Sequence, residues 1–382
     1  MKHNNLICKI FQSIYQVPEK DWDRVARGVS IIYSYRYWRL IEDSDLKHFY
    51  DFTYILIFEG KTPVFIGVCY FFKQDLSEYT NDLVSSLVKS VRKVFPNFLY
   101  LKVMEIGTPI NIHLPSVLFA SAQNPMELMK ALTDVLDEIK RRTKPSLIGL
   151  KDAAPESVVS AEMKAFLSEN QFKVIRSQPN TVIDLKWTSI DAYLDSMKSY
   201  YRSKLLKHLK RNDHQGITSQ LTSDFSQIAD VLVRQWLLVH NKPGHIKREV
   251  LNARFYRDID EAFPEESQVL LLYEKDKLIG HALLLMDGDV LRWLYIGREK
   301  SENDSLYMFI LYKIIETGIM LGVSKVDCGP TTYDIKQDMG ARVEDLHYGF
   351  KLSSSILNSL LSGIISKFIE LKPVKQRTVF KQ

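Results

Sequence analysis

The order of the predicted secondary-structure elements occurs twice along this chain, and this repetition limits the possible folds more than any other feature. A helix, a short strand, a second helix and a further strand are predicted in residues 125–185. The same order returns in residues 305–352, at an offset of about 170 residues. Identity between the two stretches is low, so two unrelated halves of the same class would also explain the pattern. The sequence therefore predicts two α/β halves, related by duplication or similar only in element order.

The length and composition agree with two folded domains. A chain of 382 residues corresponds to two domains at about 150 residues each. Hydrophobic residues make up 46% and charged residues 25%, a globular balance that excludes a disordered or low-complexity chain. The formal net charge of +5 is too small for a dedicated nucleic-acid-binding domain, although it leaves room for a local basic patch.

The cysteines and the short apolar segments predict the compartment. Cys8, Cys69 and Cys328 are far apart and form no Cys-x-x-Cys pair, so we expect neither a disulfide framework nor a metal site. Residues 1–20 have no signal-type apolar core, and no segment approaches about 18 uninterrupted apolar residues. The sequence therefore predicts a cytoplasmic protein with reduced thiols.

Three consecutive strands are predicted in residues 268–298 of the second half. Short turns at Asp276-Lys277 and at Asp287-Gly288-Asp289 separate them, which is typical of an antiparallel meander. A unit that runs from a meander to a helix, a strand, a helix and a strand favours a mixed sheet over a doubly wound parallel one. The predicted fold class is α/β (α+β), with two mixed, largely antiparallel sheets flanked by helices.

Three stretches of the second half resemble a known family. They are the helix in residues 193–211, the meander with its hinge at residues 278–281, and the segment DCGPTTYDIKQDMGA in residues 327–341. The last segment has a strand ending in Asp-x-Gly, then an aromatic residue, a lysine and a late glycine: Asp327, Gly329, Tyr333, Lys336 and Gly340. On these residues the chain resembles the GNAT superfamily of acyl-CoA N-acyltransferases, in its tandem-domain branch of FemAB-like peptidyltransferases.

The resemblance implies a division of the chain into three parts. Residues 1–186 would form a degenerate GNAT-like domain, residues 187–352 the catalytic GNAT-like domain, and residues 353–382 an amphipathic tail. The tail has apolar residues at helical spacing on one face: Ile356, Leu357, Leu360, Leu361, Ile364, Ile365 and Phe368. We expect this face to dock back onto the core. The alternatives are peripheral membrane contact and binding of a partner helix.

One loop departs from the GNAT pattern. GNAT domains have a glycine-rich loop here whose backbone N–H groups hold the coenzyme A pyrophosphate, but residues 298–305 contain no glycine. Four of these residues are candidate cofactor contacts: Arg298, Ser301, Asn303 and Ser305. The carboxylates of Glu299, Glu302 and Asp304 would repel a diphosphate. A donor carried by acyl carrier protein or by tRNA is therefore considered beside acyl-CoA.

Three residues of the second half are candidates for catalysis, because acyl transfer to an amine needs a base and a proton donor. Asp327 would act as the base or bind the amine, Tyr333 would protonate the leaving group, and His281 would act as a base from the meander. Each has a structural alternative. These are a capping carboxylate, a core tyrosine and a hydrogen-bonded strand histidine, respectively.

Five residues are candidates for substrate binding: Trp236, His240, Trp293, Tyr295 and Lys336. The first two are four residues apart on a predicted helix, and the next two alternate on a strand, so each pair would share one face. Lys336 would bind a phosphate, a carboxylate or an oxyanion. Core packing explains the aromatic pairs equally well, and a solvated lysine is the alternative for Lys336.

The helix in residues 199–211 is dense in positive charge. Its basic residues are Arg202, Lys204, Lys207, Lys210 and Arg211. A solvated helix face is the ordinary meaning of such a run. The functional interpretation is an anionic partner, namely the acidic helix of a carrier protein, the tRNA backbone or a phospholipid headgroup.

Together these features predict an N-acyltransferase that holds no permanent cofactor. It would move an acyl group from acyl-CoA or acyl carrier protein to an amine of a small-molecule or amino-acid-like acceptor, by direct attack in a ternary complex. The first alternative is a FemAB-like transferase that takes its aminoacyl group from charged tRNA. The second is a non-catalytic binding module of degenerate GNAT fold.

Overall fold

The computed structural model describes residues 2–3, 5–44, 46, 51–75, 77, 82–110, 112–115, 117–120, 125–153, 161–242, 249–299, 304–369 and 371–381. Within them the chain forms two mixed sheets. Sheet A contains β1 (Lys2–His3), β2 (Leu6–Phe11), β3 (Asp51–Glu59), β4 (Thr62–Asp75), β5 (Tyr100–Ile106), β6 (Val117–Phe119), β7 (Leu147–Ala153), β8 (Lys173–Arg176) and β16 (His347–Leu352). Sheet B contains β9 (Asn180–Asp184), β10 (Ile217–Thr222), β11 (Ser267–Glu274), β12 (Lys277–Asp287), β13 (Val290–Arg298), β14 (Lys325–Asp327) and β15 (Arg342–Glu344).

The helices cover the faces of these sheets. They are α1 (Glu19–Ala26), α2 (Tyr35–Asp43), α3 (Asp82–Val91), α4 (Pro125–Thr143), α5 (Ala161–Glu169), α6 (Ile190–Ser196), α7 (Ser199–His214), α8 (Ala229–His240), α9 (Ala253–Ala262), α10 (Asp304–Leu321), α11 (Tyr333–Asp338) and α12 (Ser355–Ile369). No helix in the described ranges combines the length and the apolarity that a membrane crossing requires.

The strand order confirms the predicted fold class. Sheet A runs β1-β2-β3-β4-β5-β7-β16-β8 with β6 beside β4, and sheet B runs β10-β11-β12-β13-β14-β9-β15. Most neighbours are antiparallel, and the meander β11-β12-β13 lies where it was predicted. Among the described strands each sheet has one parallel pair, β5 with β7 and β13 with β14. The two sheets are therefore mixed and largely antiparallel.

The two halves exchange their last strands. The last strand expected in each of the repeated stretches, residues 125–185 and 305–352, is broken in two. Strand β8 lies in sheet A and β9 in sheet B, whereas β15 lies in sheet B and β16 in sheet A. The crossing segments are joined by a hydrogen bond from Ser177 N to Leu346 O of 2.8 Å. The limits 1–186 and 187–352 stay a prediction, and one strand from each range pairs within the other sheet.

The cores are organised in layers. Helices α4 and α5 pack on the outer face of sheet A, and α7 and α10 pack on the outer face of sheet B. Between the sheets, α1 and α2 of the first half share a core with α8 and α9 of the second, where Trp38 and Phe255 are both buried. The two halves therefore bury apolar surface against each other.

The helix expected in residues 193–211 is broken near its start. Met197 and Lys198 are extended, which separates α6 from α7. The end of the chain returns to this break, where Lys198 N donates to Val379 O at 2.9 Å and the Phe380 ring lies 4.7 Å from the Trp187 ring. Apolar periodicity continues across the break because both helices face the same core.

The tail helix α12 contacts sheet A with the opposite face from the one predicted. Asn358 and Ser366 are buried, at 4% and 6% exposure, whereas Ile356 and Leu360 are 75% and 65% exposed. The side chains of Ile364 and Phe368 lie outside the described part of the chain. The expectation that the apolar face docks on the core is therefore wrong for the described residues.

Candidate active site

The centre of the candidate site is the end of β14, where Asp327 is buried in a polar network. Its Oδ2 accepts a hydrogen bond from Arg292 Nη1 at 2.7 Å. Its Oδ1 accepts from Asn180 Nδ2 at 3.0 Å and from Gly329 N at 3.1 Å. The guanidinium and two further N–H donors thus engage both carboxylate oxygens. Asp327 is therefore placed to hold this region together.

The Arg292 guanidinium extends this network into the first half. Its Nη2 lies 2.7 Å from Asp287 Oδ2. The Asp287 carboxylate also accepts from Ser30 Oγ at 2.7 Å and from Ile31 N at 2.9 Å. Because the arginine and both aspartates are buried, loss of one partner would leave an uncompensated charge in the interior.

A tight turn in residues 328–332 follows Asp327. Gly329, Thr331 and Thr332 have positive φ angles of 69°, 65° and 50°. The left-handed region suits glycine, but it costs about 1–3 kcal/mol for each other residue and is disfavoured further for a β-branched threonine. Backbone strain of this kind is often found at functional sites. The turn therefore marks the end of β14 as a candidate site independently of the family resemblance.

Lys336 lies beneath this turn and is 2% exposed. Its ammonium donates to Gly329 O at 2.9 Å and to Pro330 O at 2.6 Å, and it lies 6.0 Å from the centre of the Trp293 ring. Burial lowers the pKa of Lys336 to about 8. An ammonium has three N–H donors, so two carbonyls leave one donor for a third acceptor. Binding of an anion or an oxyanion by Lys336 stays a prediction, whereas the alternative of a solvated lysine is wrong because the side chain is buried.

Tyr333 begins α11 at the edge of the same turn and is half-buried. Its hydroxyl donates to Pro179 O on the crossing segment at 3.1 Å, and burial raises its pKa. The structure therefore brings Tyr333 near Lys336 and Asp327, but with its proton already donated to the backbone.

His281 lies elsewhere, in the core shared by the two halves. It is fully buried, with Nε2 2.9 Å from Tyr256 Oη and Nδ1 3.0 Å from Gln235 Oε1. Burial lowers its pKa to about 3, so it is neutral at physiological pH. The expectation that His281 faces a cleft as a base is corrected, because both ring nitrogens are used inside the core.

The predicted aromatic wall divides between the two faces of sheet B. Trp293 packs in the outer core, with its ring 5.2 Å from that of Tyr307. Tyr295 packs in the shared core, where the Trp236 ring lies 6.1 Å away and stacks on His240 at 4.3 Å. The expectation that Trp293 and Tyr295 share a face is wrong. The register between β12 and β13 shifts at Leu283/Leu284, which is a β-bulge that turns the strand by one residue.

The start of α10, the expected pyrophosphate site, is covered by α7. Ser305 is buried, with Oγ 2.8 Å from His208 Nδ1, and its carbonyl accepts from Asn212 Nδ2 at 3.0 Å. Arg298 is buried with its guanidinium 5.2 Å from the Tyr307 ring. Ser301 and Asn303 lie outside the described residues. The described candidates for cofactor binding are thus engaged within the protein.

The outer face of α7 is basic. Arg202 and Lys204 form ion pairs with Asp195 and Asp338 at 3.0 and 2.6 Å. The other three predicted cations are exposed and form no ion pair within the described ranges: Lys207, Lys210 and Arg211. Lys210 and Arg211 lie three and four residues after Lys207, so both adjoin it on the helix surface. The structure therefore separates two paired from three available positive charges.

Sequence reasoning missed a polar cluster in the first half. At the end of β7, Lys151 donates to Thr108 O at 2.9 Å and to Ile110 O at 2.7 Å. The neighbouring Asp152 lies 3.1 Å from His113 Nδ1, and His113 Nε2 is buried without a hydrogen-bond partner among the described residues. The signal that would have found it is the charged Lys-Asp pair directly after a short apolar strand.

Comparisons with known proteins agree with this architecture. Residues 13–340 match the model of the FemAB-like family, which is described as peptidoglycan biosynthesis/recognition. The crystal structure of FemX superposes with a TM-score of 0.55 at 14% identity, covering 94% of this chain and 100% of that one, which supports the fold alone. A GCN5-related N-acetyltransferase from Sphaerobacter thermophilus has a TM-score of 0.42 at 12% identity, covering 92% of this chain and 97% of its own.

The curated relatives match this chain over only part of their own length. The putative 8-amino-7-oxononanoate synthase 2 of Mycobacterium tuberculosis is 22% identical over 321 residues, which cover 81% of this chain and 40% of the relative. The chain thus spans less than half of that protein. The family model covers most of the present chain, and the fold is similar to that of FemX. The chain therefore belongs to the FemAB-like family.

Proposed function

We propose that this chain transfers an aminoacyl group from charged tRNA to an amine of a peptidoglycan precursor. The family description supports peptidoglycan as the acceptor class. The similarity to FemX over the full length of that chain supports a tandem GNAT-like transferase rather than a single acetyltransferase domain. The donor is argued from the charges of the second half.

The observation that carries the proposal is the arrangement of α7 and α10. The inner face of α7 covers the start of α10 through His208 and Asn212, where a GNAT domain would receive the pyrophosphate of coenzyme A. The outer face of α7 carries Lys207, Lys210 and Arg211, which are exposed. Phosphates are therefore better received outside, by a stripe of cations that suits a nucleic-acid backbone.

The reaction forms an amide from an ester. The neutral acceptor amine attacks the carbonyl carbon of the aminoacyl ester, the C–O bond to the tRNA ribose breaks, and the ribose oxygen gains the proton that the amine loses. The carbonyl oxygen becomes an oxyanion in between. We assign its stabilisation to the remaining N–H donor of the Lys336 ammonium, which the strained turn holds in a dry environment.

Asp327 acts in this proposal as a positioning residue. Its hydrogen bond to Gly329 N and its ion pair with Arg292 fix the turn whose carbonyls hold Lys336. An Asp327→Asn variant would keep the hydrogen bond from Arg292 but lose the charge. We expect it to lower kcat with little effect on tRNA affinity, whereas a base would show a changed pH profile as well.

The experiment that tests the donor is tRNA binding by a matched pair of variants. The triple variant Lys207→Ala/Lys210→Ala/Arg211→Ala removes the exposed cations of α7. The control Lys20→Ala/Arg24→Ala/Arg27→Ala removes three exposed cations at and just after α1. Filter binding of bulk charged tRNA between low and moderate salt gives the affinity and its salt slope.

The α7 variant should bind tRNA more weakly and lower the salt slope by about 1 for each phosphate that the protein no longer neutralises. The α1 control should change neither quantity. Equal decreases in both variants would indicate a diffuse charge effect, and an unchanged α7 variant would remove the basis for tRNA as the donor.

A further inference from the structure

The helix α12 is amphipathic, but it has polar residues buried against sheet A and large apolar residues exposed. The polar residues Asn358 and Ser366 are buried on the side of sheet A, where Asn358 Nδ2 donates to Gln171 O at 3.0 Å and Asn358 Oδ1 accepts from Leu352 N at 2.9 Å. Its large apolar residues face solvent: Ile356 at 75%, Leu357 at 49%, Leu360 at 65% and Leu361 at 39% exposure. A contiguous exposed apolar stripe on a helix indicates an apolar partner outside the chain.

A second exposed apolar group lies in α3 and the turn after it. It consists of Leu87, Val94, Phe95 and Phe98, with exposures of 65%, 72%, 65% and 43%. Two phenylalanines and two aliphatic side chains within twelve residues are unusual for a free surface. Among the described residues of sheet A and the helices on it, from residue 87 onward, most of the large exposed apolar side chains belong to this group or to the α12 stripe.

The two groups lie at the same end of sheet A. Strand β5 begins at Tyr100, two residues after Phe98, and β16 ends at Leu352, just before α12. Backbone hydrogen bonds link these ends across the sheet, from Ser146 N to Lys102 O at 2.7 Å and from Ser353 N to Ser146 O at 3.0 Å. The strands β5, β7 and β16 are adjacent, so the two ends are about 10 Å apart at the usual strand spacing.

The same end of the sheet carries an excess of positive charge. Lys89 and Lys93 are exposed beside the apolar residues of the α3 segment, and Lys144 is exposed after α4, directly before β7. Arg141 and Arg142 end α4 at this edge and share Glu138 as their carboxylate partner. On α12, Lys367 is exposed and continues the stripe of Ile356 and Leu360 at helical spacing.

We propose that this end of sheet A docks on an anionic phospholipid surface, with the α12 stripe and the apolar residues of segment 87–98 inserted among the headgroups. The apolar side chains enter the interface and the lysines meet the lipid phosphates, which is the usual arrangement of peripheral helices. A protein partner would need a matching acidic rim, whereas an anionic bilayer supplies negative charge at any position. The inference is independent of the proposed transfer reaction.

Vesicle co-sedimentation of the full chain tests the proposal. Vesicles of phosphatidylglycerol and phosphatidylcholine are compared with vesicles of phosphatidylcholine alone. The test variant is Ile356→Ser/Leu360→Ser. The matched control is Leu238→Ser/Met320→Ser, which changes two side chains in the second half that are 44% and 69% exposed. Thermal unfolding checks that both variants keep the native fold.

The native chain should sediment with the anionic vesicles and be released as salt rises. The Ile356→Ser/Leu360→Ser variant should lose at least about tenfold in partitioning, because interfacial binding scales with buried apolar area. A Phe95→Ser/Phe98→Ser variant should lose a similar amount, and the control should bind as the native chain does.

Three outcomes would overturn the proposal. They are no sedimentation with anionic vesicles, equal sedimentation with phosphatidylcholine alone, and loss of binding in the Leu238→Ser/Met320→Ser control to the same extent. The proposal also fails if the native chain is a dimer that binds no vesicles and the Ile356→Ser/Leu360→Ser variant is a monomer. A second copy of the chain would then cover the stripe.

Discussion

Both sheets have buried polar groups at the end of their parallel strand pair, but the partners of these groups differ. In sheet B, Asp327 is paired with the permanent cation Arg292, and Lys336 is held by two carbonyls. In sheet A, Lys151 is held by two carbonyls in the same way, but Asp152 is paired with the titratable His113. At both sites backbone carbonyls thus accept hydrogen bonds from a buried lysine, Lys336 of α11 and Lys151 of β7. The two sites differ in the partner of the aspartate.

The two polar clusters also differ in what they connect. The network of Arg292 in sheet B reaches Asp287 and the backbone of Ile31, so it joins the two halves. The cluster in sheet A stays within the first half and leaves His113 Nε2 without a partner among the described residues. The first half, expected to be degenerate, therefore also has a buried lysine and a buried aspartate at the end of a parallel strand pair.

The largest expected effect concerns the buried histidine of sheet B. The pKa of His281 in the folded state is about 3, below its usual value of 6.5, so the unfolded state takes up the proton first as pH falls. The contribution of neutral His281 to the free energy of unfolding is fully present above pH 6.5. It should decline by about 1.4 kcal/mol per pH unit as the pH falls toward 3. His281→Gln should remove this acid sensitivity in urea unfolding, and His214→Gln, at an exposed position, should not. Equal acid slopes for native chain and His281→Gln would contradict the buried placement.

Arg292→Leu should lower the free energy of unfolding by about 3–5 kcal/mol, because it leaves two buried aspartates without their cation. The control is Arg342→Leu, whose pair with Asp184 at 2.7 Å is 39% and 36% exposed and should contribute less than about 1 kcal/mol. Urea unfolding gives both values. A decrease for Arg292→Leu no greater than that for Arg342→Leu would mean that the network does not hold the halves together.

The buried Lys336 of α11 should also make the free energy of unfolding depend on pH. Its folded pKa of about 8 lies below the usual 10.5, so the folded state releases the proton first as pH rises. The burial penalty on stability is complete below pH 8 and should be relieved by about 3 kcal/mol between pH 8 and 10.5. The difference in unfolding free energy between Lys336→Met and the native chain should therefore shift by about 3 kcal/mol in favour of the native chain over that range. Lys207→Met, at an exposed site, should show no such change. If the free energy of unfolding changed equally with pH in the native chain and in Lys336→Met, the lowered pKa of Lys336 would be contradicted.

The smallest effect separates the two lysines. Lys151→Met removes a donor from the carbonyls of Thr108 and Ile110 and should cost about 1–3 kcal/mol in unfolding free energy. Its transfer rate should stay within a few-fold of the native rate, whereas Lys336→Met should lose transfer. A folded Lys151→Met variant that lacks transfer, beside an active Lys336→Met, would move the chemistry to the first half.

Local patterns were sufficient for much of the fold. The hairpin β3-β4, the meander β11-β12-β13 and the helices α4 and α10 follow from apolar periodicity and turn residues, which act over a few positions. Hydrogen bonds join Asp327, Gly329 and Lys336 in one turn, and their role as a site stays a prediction. The basic stripe of α7 was found because charge density is visible without a structure.

The remaining features depend on contacts between distant residues. The bulge that separates Trp293 from Tyr295 is set by pairing with β12, and the break at Met197 depends on residues 379–380. The exchange of β9 and β16 between sheets has no local signal. His281 was misassigned because its partners, Tyr256 and Gln235, come from two helices, and only the fold brings them to the ring.

The most direct test of the central claim is a donor comparison in a transfer assay. The purified chain is incubated with soluble peptidoglycan precursors and either bulk tRNA charged with labelled amino acids or labelled acetyl-CoA. We predict label in the precursor from tRNA alone, and its loss in Lys336→Met with tRNA binding retained. Label from acetyl-CoA and none from tRNA, or no transfer from either donor, would contradict the account.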